Sequence, residues 1–188
     1  MSATATGMTT EELLALPEDG TDRELIRGQL RERPMTRRNR RHTRTTSNLA
    51  HLLTLWLRQQ PEPRGEVLAG EAGFRLRRDP DSTVGVDLAY ISPELAARTP
   101  DNAALIDGPP VLAVEILSPS DRHEEVVEKL QEYLDAGVAL VWVVDPDLRT
   151  VSVHRPGAEP ELVNVRQELG GTPELPGFHV PVAAIFQR

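Results

Sequence analysis

Two apolar runs that enclose an amphipathic helix constrain the fold of this chain more than any other feature. VLAVEIL, residues 111–117, and ALVWVVD, residues 139–145, are short runs typical of strands that are covered on both faces. Between them, apolar side chains recur at helical spacing and Gly137 is typical of a helix end. The apolar stripe consists of Val126, Val127, Leu130, Tyr133 and Leu134. This strand–helix–strand unit predicts a sheet that packs against helices.

The remaining segments extend this unit into an α/β, mixed α+β architecture. An amphipathic helix over Leu49–Leu57 precedes two strands, near Glu66–Arg77 and Val84–Ser92. RELIRGQLRERP, which begins at Arg23, predicts an added N-terminal hairpin. The Pro-rich segment 93–110 is interpreted as a long loop. The predicted order is helix, strand, strand, strand, helix, strand, with a central mixed sheet flanked by helices.

Domain organisation and location follow from length and composition. We expect a flexible tail at residues 1–8 and a single domain over residues 9–188. The N-terminus lacks the basic and apolar regions of a signal peptide, and no apolar run approaches the length of a membrane helix. The chain contains no cysteine, which excludes disulfides and thiolate metal sites. These features predict a cytoplasmic protein that does not associate with a membrane.

Positive charge is concentrated in one stretch although the net charge is −8. Residues 33–60 contain seven arginines and no acid. Such asymmetry is typical of a nucleic-acid contact, and a solvated helix face paired with acids elsewhere is the alternative. The candidate nucleic-acid-binding residues are Arg37, Arg38, Arg40, Arg41 and Arg44.

Two acids lie inside otherwise apolar strands. Asp87 stands in VGVDLAYI and Glu115 in VLAVEIL. A buried carboxylate needs a cation or strong hydrogen-bond donors, so each acid could pair with one of the twenty arginines. If the two strands are neighbours, both carboxylates could instead share a divalent cation, for which oxygen ligands favour Mg²⁺ or Mn²⁺.

Lys129 is the only lysine in the chain. At 3.6 residues per turn it lies about 100° from the middle of the apolar stripe, at the boundary of the buried face. A compact ammonium there could orient an attacking water and stabilise charge on a phosphate. Asp87, Glu115 and Lys129 are therefore the candidate catalytic residues. Alternatively, Lys129 forms a buried ion pair with Glu115 and binds no ligand.

Four segments carry a resemblance to a known family. The segments are VDLAYI, PPVLAVEILSPS, EKLQEYLDAGVALVWVVDP and LPGFHVPVAAIF. They resemble a bacterial restriction endonuclease family, a domain of unknown function that belongs to the PD-(D/E)XK nuclease superfamily. The resemblance extends from about Arg23 to Phe186 and implies a restriction-endonuclease-like core, a divalent metal and DNA cleavage. It departs from the superfamily signature at two positions. Val86 replaces the usual proline, and Leu117 replaces the strand lysine, whose place Lys129 takes on the following helix.

The resemblance also implies roles for individual residues. Asp87, Glu115 and the backbone carbonyl of Ile116 would be metal ligands, and DNA would be the substrate. Glu24, His42 and Glu71 match family positions or lie near the site, so they would be supporting residues. A homodimer is a further expectation. Two functions from different classes stay open: a Mg²⁺- or Mn²⁺-dependent endonuclease, and a non-catalytic DNA-binding or protein-interaction module that keeps the nuclease fold.

Overall fold

A short helix and a hairpin begin the structure, which is a computed structural model that describes residues 7–35 and 39–188. Helix α1 (Thr10–Leu14) is followed by strands β1 (Thr21–Ile26) and β2 (Gln29–Pro34). The two strands pair antiparallel, which confirms the predicted hairpin. Most of the predicted tail lies outside the described residues, but Met8 is included and its backbone N–H donates to the carbonyl of Gly28.

The central part of the chain follows the predicted order. Its elements are α2 (Arg40–Leu57), β3 (Glu66–Arg77), β4 (Ser82–Ile91), α3 (Pro93–Arg98), β5 (Ile106–Asp107), β6 (Leu112–Ile116), α4 (His123–Asp135) and β7 (Leu140–Asp145). The interpretation of residues 93–110 as a loop was wrong in part, because α3 and β5 lie within them. Ser92 caps α3 by accepting a hydrogen bond from the backbone N–H of Leu95, and Pro93 occupies the first turn, where its missing N–H costs nothing.

Four strands and a short helix complete the chain. They are β8 (Thr150–His154), β9 (Glu161–Asn164), β10 (Glu168–Gly170), β11 (His179–Pro181) and α5 (Val182–Ile185). Strands β10 and β11 form a separate two-stranded sheet. In the described part of the chain, no helix is both long enough and apolar enough to cross a membrane.

The main sheet is mixed and has nine strands among the described residues. Its order is β2-β1-β4-β6-β7-β8-β9, with β3 paired to β4 and β5 paired to β3. Strands β6 and β7 are parallel, as α4 crosses between them, and β4 is antiparallel to both β1 and β6. The predicted mixed sheet flanked by helices is confirmed.

Two apolar clusters cover the two faces of this sheet. On one face, Leu49 and Leu53 of α2 pack with Trp142 and with Phe178 from the C-terminal segment. On the other face, Tyr133 of α4 packs with Val86, Val141 and other buried side chains of the sheet. Helix α2 buries Leu49, Leu53 and Trp56 of its predicted stripe, since removal of apolar surface from water is the main favourable term in folding. Helix α4 buries Tyr133, whereas Val127 of its predicted stripe is exposed.

The sheet forks at β4. On one side of β4, strand β3 pairs with it along nearly its whole length. On the other side of β4, β1 pairs with it at Thr83 and β6 pairs with it from Leu88 to Tyr90. Residues 84–87 of β4 therefore face a gap between β1 and β6, and the candidate site residues surround this gap.

Candidate active site

Two carboxylates accept hydrogen bonds from backbone N–H groups at the fork. Glu24 Oε1, from β1, accepts a hydrogen bond from the N–H of Gly85 at 3.0 Å. Asp87 Oδ2 accepts one from the N–H of Ile116 at 2.8 Å. Because these side chains satisfy donors that a continuous ladder would pair with a neighbouring strand, the sheet can open here without leaving those N–H groups unpaired.

Lys129 reaches into the gap from α4. Its ammonium donates to the carbonyl of Gly85 at 2.7 Å and to Glu24 Oε1 at 2.9 Å, and lies 3.2 Å from Glu115 Oε1. Only 13% of the side chain is exposed. Burial would lower the pKa of Lys129, but the charges of Glu115 and Glu24 outweigh it and raise this pKa above its ordinary value. The lysine is thus held in its charged form beside Glu115.

Glu115 lies between Lys129 and a buried tyrosine. The hydroxyl of Tyr133 donates to Glu115 Oε1. Burial raises the pKa of Glu115 from 4.5 to about 7, although the Lys129 charge acts in the opposite direction. Burial and the negative charge of Glu115 also raise the pKa of Tyr133 well above 10, so the phenol stays protonated and remains a donor.

Asp87 is supported from the opposite face of the sheet. Strand β4 supplies this carboxylate, which is buried, and His42 Nε2 from α2 lies 3.2 Å from its Oδ2 atom. His42 is also buried, and Asn39 caps its helix by accepting hydrogen bonds from the N–H groups of Arg41 and His42. Residues from both sheet faces therefore converge on the pair formed by Asp87 and Glu115.

Glu24, Asp87, Glu115 and Lys129 line a cleft of about 120 Å³ at the fork. Its wall is strongly acidic, with nine acidic side chains and three basic ones, Arg31, Arg33 and Lys129. The acids are Asp22, Glu24, Glu32, Glu71, Asp87, Glu115, Asp121, Glu125 and Glu128. Glu71 lies at an irregularity in the pairing of β3 with β4, where its φ is +60°, and lines the cleft. Such an excess of negative charge favours a cation.

The donor chemistry fits a hard divalent cation. Asp87 and Glu115 offer carboxylate oxygens, and Ile116, which also lines the cleft, offers a backbone carbonyl. Within residues 7–35 and 39–188, no three His, Asp or Glu side chains converge closely enough to hold a metal ion on their own. A cation here would need the carbonyl and water in addition to the two carboxylates, which is typical of Mg²⁺.

The three predicted nucleic-acid-binding arginines that the structure describes do not line this cleft. Arg40, Arg41 and Arg44 lie in the first turns of α2, and Arg41 forms an ion pair with Asp147. Arg37 and Arg38 lie outside the described residues. The structure therefore brings together Asp87, Glu115, Lys129 and the supporting acids and histidine, whereas Arg40, Arg41 and Arg44 lie outside the cleft.

Comparison with known proteins assigns the family. A model of the family Uma2, described as "Putative restriction endonuclease", matches residues 10–183. The chain belongs to the Uma2 family. The crystal structure of a "putative nuclease belonging to DUF820" from Anabaena variabilis superposes on this Uma2 protein with a TM-score of 0.79 at 22% sequence identity. The alignment covers 95% of this chain and 97% of that one, and shows a shared fold. No curated protein matched the sequence.

Sequence reasoning missed three groups of this Uma2 site. Tyr133 was assigned only to the apolar stripe, although its spacing of four residues from Lys129 placed both on one helix face. Arg33, which lies 3.5 Å from Glu24 Oε2, was counted only as part of a basic stretch. The carbonyl of Gly85 carries no signal in sequence, since any residue supplies such a group and only the fork exposes it.

Proposed function

We propose that this Uma2 protein is a Mg²⁺- or Mn²⁺-dependent endonuclease that hydrolyses DNA phosphodiester bonds. The observation that carries the proposal is the convergence of Asp87, Glu115 and Lys129 in one concave cleft at the fork of the sheet. The family description supports a nuclease, and the proposal adds the cation, the substrate and the roles of residues.

Each residue has a task that follows from its contacts. Asp87, Glu115 and the carbonyl of Ile116 would hold the cation, which when bound supplies charge stabilisation to phosphate oxygens and acidifies a bound water. Lys129 remains protonated next to them and can donate to an attacking water or to a phosphate oxygen. Glu24 and the Gly85 carbonyl fix the position of the ammonium. Tyr133 and His42 orient the two carboxylates.

A non-catalytic module is the second candidate, and one observation favours it. The Lys129 ammonium already has three neighbours in Gly85, Glu24 and Glu115, which is the arrangement of a structural ion pair. A substrate phosphate would have to compete with one of them. The two candidates therefore differ in whether the cleft binds a cation and turns over DNA.

A cleavage assay separates the candidates. Purified protein is incubated with supercoiled plasmid and with single-stranded DNA in Mn²⁺, in Mg²⁺ and in chelator. We expect nicking only with a divalent cation, and a loss of about 10²-fold or more in Asp87→Asn and Glu115→Gln. Glu125→Gln is the matched control, because Glu125 lines the same cleft and has no proposed role. Equal cleavage by parent and both site variants, or cleavage in chelator, would refute the proposal.

Calorimetry tests the cation site without relying on turnover. We expect the parent and Glu125→Gln to bind Mn²⁺ alike, and Asp87→Asn to bind it about 10-fold or more weakly. Binding that is unchanged in Asp87→Asn would contradict the assigned ligands. DNA binding without any cation affinity would favour the non-catalytic module.

A further inference from the structure

A second depression, separate from the acidic cleft, carries most of its charge as arginine. It has a volume of about 380 Å³ and lies between the first turns of α2, the turn that joins β7 to β8, and the last residues of the chain. Four arginines line it, Arg41, Arg44, Arg149 and Arg188, together with one acid, Asp147. We call it the arginine depression. Its charge is opposite to that of the cleft, so it favours an anion.

Arg44 has an unsatisfied donor in this depression. Its Nε atom is buried and has no hydrogen-bond partner among the described residues. A buried donor without a partner is destabilising, and an acceptor supplied by a ligand would satisfy it. Guanidinium groups bind phosphate oxygens through paired N–H donors, so a phosphate is the anion that this geometry suits best.

Arg149 presents its side chain from a turn that favours glycine. Its φ is +57°, in the left-handed region, and the residue is exposed. The same turn is fixed by Asp145, whose Oδ1 accepts hydrogen bonds from the N–H groups of Asp147 and Leu148. A glycine would adopt this backbone at less steric cost, because it has no Cβ atom. Removal of the Arg149 side chain therefore tests its charge without disturbing the turn.

The fold connects the arginine depression to the candidate active site. On α2, His42 contacts Asp87 while its neighbour Arg41 lines the depression. Strand β7 runs parallel to β6, with Val144 opposite Ile116, so the turn after β7 follows directly beside the end of β6. Because parallel strands end at the same edge of a sheet, the proposed ligand Ile116 at the end of β6 and the depression beyond the end of β7 share that edge.

We infer that the arginine depression is a phosphate subsite that binds a DNA phosphodiester flanking the one that is cleaved. This inference rests on the proposed function, and it names the surface that holds the substrate backbone. The acidic cleft repels DNA, so binding needs a separate source of attraction. Arg44 and Arg149 would contact phosphate oxygens directly, and Arg41 would exchange its ion pair with Asp147 for the phosphate.

The salt dependence of DNA binding tests the subsite. Binding of a short DNA duplex is measured by fluorescence anisotropy at several salt concentrations in chelator, so that cleavage does not interfere. The variants are Arg149→Gly and Arg44→Met, the second of which keeps the apolar stem that packs at the depression. Arg166→Ala is the matched control, because Arg166 is exposed, lines neither the cleft nor the depression, and changes the net charge equally.

We expect each variant to bind the duplex roughly five-fold more weakly and to reduce the slope of log affinity against log salt by about 1, with a reduction of about 2 in the double variant. Arg166→Ala should match the parent. Slopes that do not change, an equal loss in Arg166→Ala, or a parent that does not bind DNA would each overturn the subsite.

The two proposals fail in different ways. A parent that binds DNA through Arg44 and Arg149 but cleaves nothing with Mn²⁺ would refute the endonuclease and retain the phosphate subsite. A parent that cleaves DNA, with variants that bind and cleave as it does, would refute the subsite and retain the endonuclease.

Discussion

At the scale of single residues, Lys129 and Glu115 are two ionisable residues whose environment differs from that of ordinary surface side chains. Both are largely buried, both carry shifted pKa values, and each is the other's neighbour at 3.2 Å. The pair is costly to bury, and its partners Glu24, Gly85 and Tyr133 provide the compensating hydrogen bonds. Two predictions belong to this scale.

Lys129→Arg should separate catalysis from stability. A planar guanidinium keeps the charge beside Glu115 and Glu24 but cannot reproduce the contacts of a compact ammonium. We expect DNA cleavage to fall by about 10²-fold, with Mn²⁺ binding preserved in calorimetry. Lys129→Met should lose cleavage and also about 3 kcal/mol of unfolding free energy in urea, because two buried carboxylates lose their cation. Full activity in Lys129→Arg with loss of folding in Lys129→Met would leave only the structural role.

Glu115 should make the stability of the metal-free protein depend on pH. Its pKa is raised from 4.5 to about 7 in the folded state. The folded protein therefore retains a proton that the unfolded chain releases between those values, and the free energy of unfolding falls as pH rises through this range. The effect is on the order of 3 kcal/mol. Urea unfolding in chelator measures it, and Glu115→Gln should flatten the slope while Glu125→Gln keeps it. An equal slope in the parent and Glu115→Gln would contradict the raised pKa.

At the scale of elements, the N-terminal hairpin and α4 form the wall of the cleft opposite the sheet. Arg27, in the turn between β1 and β2, pairs with Glu132 at 2.8 Å and also with Asp135. Arg31, on β2, pairs with Glu128. The hairpin thereby fixes Glu24 on one side of the gap and α4 fixes Lys129 on the other, so these pairs set the width of the site.

The two arginine pairs should differ in their contribution to stability. Glu132 is 1% exposed, whereas Arg31 and Glu128 are each 39% exposed. Arg27→Ala leaves the buried Glu132 carboxylate with Arg77, 3.5 Å away, as its remaining ion-pair partner among the described residues, so we expect the larger loss of unfolding free energy in this variant. Arg31→Ala breaks an exposed pair and should cost less than about 1 kcal/mol. Urea unfolding of both variants checks this, and equal losses would show that burial of Glu132 does not decide the difference.

At the scale of the whole molecule, the C-terminal segment completes the core under the sheet. Phe178 is buried, and its ring centroid lies 5.4 Å from Trp142 of β7 and 6.2 Å from Trp56 of α2. Leu175, Val182 and Ile185 belong to the same cluster. The last part of the chain therefore connects α2 to the strands that carry the site, which is what a single domain requires.

Phe178→Ala should destabilise the entire protein rather than the C-terminal segment alone. Loss of this ring leaves a cavity against both tryptophans, and we expect about 3–5 kcal/mol less unfolding free energy. Tryptophan fluorescence reports on this core and far-ultraviolet circular dichroism reports on all helices and strands. The two transitions should coincide in the parent and in the variant, as a two-state domain requires. A fluorescence transition that precedes the loss of secondary structure would contradict the single domain.

Patterns along the chain are enough to predict most of the helices and strands and to single out two acids in apolar strands. Continuous apolar runs predict β6 and β7, and helical spacing predicts α2 and α4. Asp87 and Glu115 are recognisable because each is an acid in an apolar strand, and a buried charge is unfavourable unless a partner compensates for it. The short α3 and β5 were missed, since a few residues of ordinary composition carry little periodicity.

The contacts between these residues depend on the tertiary structure. The fork at β4 depends on long-range pairing of three strands, and it determines that Gly85 exposes its peptide to Glu24 and Lys129. It also determines that Tyr133 donates to Glu115 and that Arg149 lies beside Arg44. Local sequence patterns indicate which face of a helix or strand a side chain occupies. Contacts between residues more than a hundred positions apart, such as Glu24 and Lys129, depend on how the whole sheet packs.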